Sequence, residues 1–229
     1  MLAAPMADPN LEEVLEVLVR RATEVDGGVD LGGAREAFHH HAGPIELGEP
    51  GYEPRIRFFL DWYLCAWVSR DGTRPAARVA RSAEEQAIAS ACANAERTLM
   101  QVLEVDGARA RVTDPLGGAR FRITQAPGPG PERLRPGDVL DGHLIVLGEQ
   151  LLLMPGPIFH PPEAHEPLAA ILERARDERA LDRTELLDAL LRMQLRLERF
   201  TSMRARHIYR WEALGERDIL SAGWARKSG

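Results

Sequence analysis

The sequence predicts an α+β protein. A helical N-terminal part covers residues 1–97, a small five-stranded barrel or bent antiparallel sheet covers 98–157, and C-terminal helices cover 158–229. Three observations carry this. Apolar residues recur at helical spacing up to about Leu99, at alternate positions from there to Met154, and at helical spacing again afterwards. Turn pairs such as Asp106-Gly107, Gly117-Gly118 and Gly148-Glu149 cut the middle region into short runs. One segment, RIRFFLDWYLCAWV from Arg55 to Val68, is apolar almost all round, as befits a helix in the centre of a core.

The elements follow in order. Asn10 and Glu13 have capping-box spacing, and Leu11, Val14, Leu15, Leu18 and Val19 then share one helical face. Gly27 and Gly28 close that region, and Ala34 to His40 predicts a short second helix. In the apolar segment only Arg57 and Asp61 break the surface, so Trp62 and Trp67 are expected to be largely buried. Ser82 and Glu85 open a further helix of small residues. Val102 to Val105, Ala108 to Thr113, Arg120 to Thr124, Val139 to Leu147 and Gln150 to Met154 read as strands. Strands this short must curl into a barrel or lay one face on helices to protect their edges. After Pro155-Gly156-Pro157 the chain is expected to return to helix. Asp182 and Glu185 start the longest one, with Leu186, Leu190, Met193, Leu197 and Phe200 as its stripe. Those spacings are heptad-like, so a homodimer through this helix is expected.

Composition excludes several classes. The chain has 229 residues, 45% of them hydrophobic, enough for a core without a covalent staple. A net charge of -6 rules out a globally basic nucleic-acid coat. Lys227 is the only lysine, so arginine serves as the general positive residue. The two cysteines, Cys65 and Cys92, stand in apolar helical patterns and form neither a disulfide framework nor a zinc knuckle. No run is long and apolar enough for a membrane span, and the first residues lack a signal-peptide pattern, so the expected location is the cytoplasm.

A family resemblance rests on three groups of residues. Phe59, Trp62 and Tyr63 lie on the aromatic helix, Asp114, Gly117 and Gly118 in a hairpin, and Leu134, Gly137 and Asp138 in a later turn. This order resembles a group of poorly characterised bacterial proteins, some of which carry a C-terminal cysteine-rich metal motif called SEC-C. The likeness spans residues 55 to 155. It implies a fold and no reaction. The chain lacks the cysteine cluster, and Gly117 stands where the relatives have threonine.

Candidate sites are few. His160, Glu163 and His165 form the richest group of possible metal ligands, with a helper available from His39, His40 or His41. The two histidines are five apart, unlike the helical HExxH spacing. Three consecutive histidines on one helix point too far apart to converge on one ion. Between Arg183 and Trp211 seven arginines face three acids, and Arg192, Arg196 and Arg199 share a face able to meet an acidic protein or phosphates. No serine has a nucleophile-elbow context, no glycine-rich run has the lysine of a phosphate loop, and the aspartates at turns suit backbone capping. Phe121 is the only aromatic of the strand region and falls on its apolar side, which opposes a base-stacking platform.

The expected function is therefore that of a non-enzymatic scaffold or binding protein acting through protein-protein contacts, without a cofactor. The alternatives are a metal-dependent hydrolase built on His160 and His165, and a nucleic-acid-binding protein using the basic C-terminal helix.

Overall fold

The computed structural model describes residues 11–49, 51–125, 134–178 and 182–215. Helices at both ends flank one mixed sheet, so the architecture is α+β. Among the described residues no helix is long and apolar enough to cross a membrane.

The first helices form as their periodicity dictates. α1 (Leu11–Glu24) buries Leu11, Leu15, Leu18 and Ala22 along one stripe; the Asn10 cap lies outside the described residues. A 3-10 turn (Val25–Gly28) feeds α2 (Val29–Ala42), which starts earlier than the sequence suggested and buries Ala34, Phe38 and Ala42. α3 (Tyr52–Cys65) buries Phe58, Phe59, Tyr63, Leu64 and Cys65. It ends before the apolar run does, because the amides of Ala66 and Trp67 both reach back to the Trp62 carbonyl. Trp62 and Trp67 are half-buried, not largely buried as expected. α4 (Pro75–Val79), which the sequence reading missed, starts on Pro75. α5 (Ala83–Ala93) carries the full capping box: Glu85 N donates to Ser82 Oγ at 3.1 Å, and Ser82 N donates to the Glu85 carboxylate.

The strands are β1 (Glu96–Asp106), β2 (Arg109–Thr113), β3 (Arg120–Gln125), β4 (Val139–Leu147), β5 (Gln150–Leu153) and β6 (Ile158–His160). Five of them close a ring in the order β1-β2-β3-β5-β4 and back to β1. β1 makes closure possible by serving two partners. Glu96 to Gln101 pairs with β4, Gln101 to Asp106 pairs with β2, and a bulge between Val102 and Glu104 bends the strand. The expected antiparallel sheet is mixed, since β3 and β5 run parallel, with Thr124 opposite Leu152. The expected five strands are six. After Pro155-Gly156-Pro157 the chain pairs Ile158 with Asp141 and His160 with Val139 before any helix begins. The ring interior holds Met100, Val102, Ala110, Val112, Ile123, Leu140, Leu144 and Leu153.

α6 (His165–Glu178), α7 (Arg183–Arg199), the short α8 (Ala205–Ile208) and a 3-10 turn (Trp211–Ala213) follow. The stripe assigned to a second copy is filled from within. Leu186, Leu190, Met193 and Leu197 pack with Leu168, Ile171, Leu172, Ile208 and Tyr209 against Leu99 and Val139 of the sheet. Leu191, on another side of α7, joins the N-terminal core. Phe200, the last residue of that stripe, is half-buried.

Candidate functional site

A cavity of about 430 Å³ opens at the start of α2 and is lined by Val29, Asp30, Gly33, Trp67, Val68, Arg70, Asp71 and Arg78. Its geometry follows from local structure. Gly28 precedes α2 in the left-handed conformation, which places Asp30 in the first helical turn, where a carboxylate is favoured by the free N–H groups. After α3 the chain turns tightly: Ser69 N donates to Thr73 O, and the Asp71 side chain accepts from Thr73 N. That turn aims Trp67 and Ser69 at Asp30.

Four donors converge on this one carboxylate. Tyr63 Oη donates at 3.0 Å, Ser69 Oγ at 2.9 Å and Arg78 Nη2 at 3.3 Å, all to Oδ2, while Trp67 Nε1 donates to Oδ1 at 3.2 Å. The arrangement is rigid and charge-matched. Ser69 is buried and hydrogen-bonded directly to a carboxylate that an arginine neutralises, with no imidazole among the lining residues. It therefore lacks the base that activates a serine nucleophile. Val29 and Val68 stand at the rim, 68% and 49% exposed.

The metal candidates are placed differently from expectation. His160 is buried on β6, its Nδ1 2.8 Å from Tyr209 Oη, and its Nε2 has no hydrogen-bond partner. Burial pulls its pKa down to about 3, so the imidazole is neutral. His165 Nε2 donates to the His160 carbonyl at 2.9 Å, and Glu163 is exposed. His39 Nε2 accepts from Ile45 N at 3.2 Å, and His41 Nδ1 lies 3.6 Å from Asp188. His160 and His165 are thus neighbours whose polar atoms turn to Tyr209 and to backbone. Among the described residues no group of three or more His, Cys, Asp or Glu gathers to hold a metal ion.

The arginine face on α7 is also engaged inside the chain. The Arg192 guanidinium is buried and donates to the carbonyls of His41 and Leu214. Arg199 pairs with Glu49 at 2.7 Å and with Glu46 at 3.2 Å. Arg196 is half-buried between them.

Beneath α7 runs a polar seam that the sequence did not signal. Arg97 grips Asp141 through Nε and Nη2, the latter at 2.7 Å, and reaches Asp188 on α7 at 2.5 Å. Its guanidinium also lies over the Phe58 ring, 5.1 Å from the centroid. Burial alone would weaken the arginine's charge, but the two carboxylates outweigh it and raise its pKa. Burial pushes the Asp141 carboxyl up, and Arg97 pulls it partly back. His143, across the ladder from Arg97, is buried with neither ring nitrogen hydrogen-bonded, and burial lowers its pKa to about 3. The seam welds β1 and β4 to α7.

Asp30 escaped sequence reading because its four partners come from α3, the following turn and α4. The one legible signal was an acid just after a double glycine at a helix start. Arg97 and Asp141 sit at alternating strand positions where polar residues ordinarily face water, and here α7 covers them. Compared with protein-family models, curated proteins and solved structures, the chain matches none.

Proposed function

We propose that this chain is a non-enzymatic binding protein of the cytoplasm, acting through protein-protein contacts, and that the Asp30 cavity is its docking site. The single observation that carries the reading is the pairing of an exposed valine rim with a clamped tryptophan. Val29 and Val68 are two of four large apolar side chains left exposed among the described residues, and both line the same cavity as Trp67. Tryptophan and arginine in a preformed concavity are the usual anchors of protein interfaces. Affinity capture with the intact chain and with Val68→Asp tests this. A protein held by the first and lost by the second supports docking, and identical captured sets end the reading. A second copy of the chain is one such partner, and sedimentation of both forms at micromolar concentration reports it.

Nucleic-acid binding is a second reading with its own observation. Arg109, Arg111, Arg120 and Arg122 are exposed on β2 and β3, and Arg111 stands directly opposite Arg122. Like charges placed so are destabilising without an anion. Glu104 offsets Arg111 alone. Anisotropy of a labelled oligonucleotide, with wild type and an Arg120→Glu/Arg122→Glu variant at several salt concentrations, decides it. Salt-sensitive binding weakened by the variant supports the reading, and no binding at low salt removes it.

A further inference from the structure

We propose that the occupant of the Asp30 cavity is an acidic segment of a partner protein, which inserts one apolar side chain between Val29, Val68 and Trp67 and sets carboxylates against Arg70 and Arg81. The proposal rests on the docking reading above and names the chemistry of its partner.

The cavity does not stand alone. Arg78 also lines a second hollow of about 310 Å³, with Arg21, Glu24, Val25, Val79 and Arg81. Arg78 lines both hollows, and we take them as the two ends of one trough. Its apolar surface comes from valines and from Trp67, whose indole N–H is already taken by Asp30. The ring offered to a ligand is thus the hydrocarbon part, which suits an aliphatic or aromatic side chain rather than a polar one. Gly33 lines the same hollow, and a side chain's first carbon there would lie 3.9 Å from the Trp67 ring, an ordinary contact.

The charges select the rest of the segment. Arg78 is tied to Asp30 at 3.3 Å and lies 3.9 Å from Asp71. Arg21 is tied to Glu85 at 2.8 Å. Arg70 and Arg81 are exposed, and neither guanidinium has a carboxylate within ion-pair distance among the described residues. Each belongs to a different hollow, so the trough carries an available cation at each one. Glu24 lines the second hollow together with Arg21 and Arg81. A phosphate backbone would answer the two arginines but leave the valine rim in water. An apolar partner without acids would fill the hollow but leave the arginines unmatched. A segment with both features meets the whole trough.

The test uses the full chain. A random peptide display library is selected on it, and the consensus is synthesised as a free peptide. Binding is followed by the Trp67 indole N–H resonance, assigned with Trp67→Phe. The expected consensus is an apolar residue flanked by Asp or Glu. Its affinity should fall at least about tenfold in Val68→Asp and in Arg70→Glu/Arg81→Glu, both with unchanged circular dichroism, and fall with added salt. A peptide with lysines in place of the acids should prefer the doubly substituted chain. A consensus that is apolar but neutral or basic overturns the acidic occupant and leaves the docking site standing. If no selected peptide moves the Trp67 resonance, both the occupant and the docking site are wrong.

Discussion

Gly156 N donates to Asp61 Oδ2 at 2.8 Å, joining the turn before β6 to the middle of α3. Asp61 is buried there among apolar side chains, and burial pushes its carboxyl up to about 7, with the Gly156 bond pulling it partly back. In the unfolded chain an aspartate titrates near ~3.9. Between those two values the folded state keeps a proton that the unfolded state has lost. Stability therefore falls as pH rises across this window, by about 1.4 kcal/mol per unit for this group, and levels off above the folded value. Urea titrations of wild type and Asp61→Asn from pH 4.5 to 8 should show this slope in wild type minus variant. A difference independent of pH would mean that Asp61 is not enclosed.

Gly156 itself leaves no room for a side chain. A first carbon there would lie 2.5 Å from the Arg57 carbonyl carbon and 2.7 Å from Phe58 N, both backbone atoms of α3 that cannot rotate away. Gly156→Ala should cost about 3 kcal/mol or more through overpacking. Ala substitution at Gly107, where nothing lies within 4 Å, meets only the positive φ and should cost less. Equal losses in denaturant midpoint would contradict the close approach.

The aromatic helix should lose most at its inner face. Phe58 and Phe59 are buried, whereas Trp62 and Trp67 are half-buried. Phe58→Ala should cost about 3–5 kcal/mol, and Trp62→Ala less despite its larger ring. Thermal unfolding of the two variants gives the order directly, and the reverse order would place Trp62 at the centre.

Arg97 holds two buried carboxylates, so removing any one member strands the others. Asp188→Ala should cost roughly 3–5 kcal/mol. Replacing Arg97, Asp141 and Asp188 together by apolar residues of similar volume should cost less than that single change. Denaturant titration of the single and triple variants measures the contrast. A triple variant weaker than Asp188→Ala would show the seam to be stabilising as a whole.

The stripe on α7 gives a test of its place in the core. Leu190→Asp should abolish the far-ultraviolet helical signal, because Leu190 is wholly enclosed by the chain's own α6, α8 and sheet. A folded Leu190→Asp protein would return this stripe to an intermolecular role.

Features that depend on local chemistry were legible in residue spacing. The Ser82–Glu85 box, the Asp182 cap on Thr184 and Glu185, the turn pairs and the change of apolar period all concern residues a few positions apart. These suffice for the order helices, strands, helices, because each acts before any long-range contact exists. Heptad spacing on α7 was equally plain, but spacing alone cannot tell a neighbouring helix of the same chain from one of a second copy. In the folded chain α6 and α8 pack over the stripe. Only the tertiary structure decided the fates of single polar residues. Arg97 falls at the end of the region read as helical and Asp141 among turn-forming aspartates, and they become a buried pair because β1 starts at Glu96 and α7 lies across both. Arg192 reads as part of a helix face able to meet an acidic protein or phosphates, and ends on the carbonyl of His41, from a helix far back in the chain. Asp30 gathers Tyr63, Trp67, Ser69 and Arg78 only after α2, α3 and α4 have met. A side chain's partner across the fold is set by which elements close over it, and no spacing along the chain records that closure.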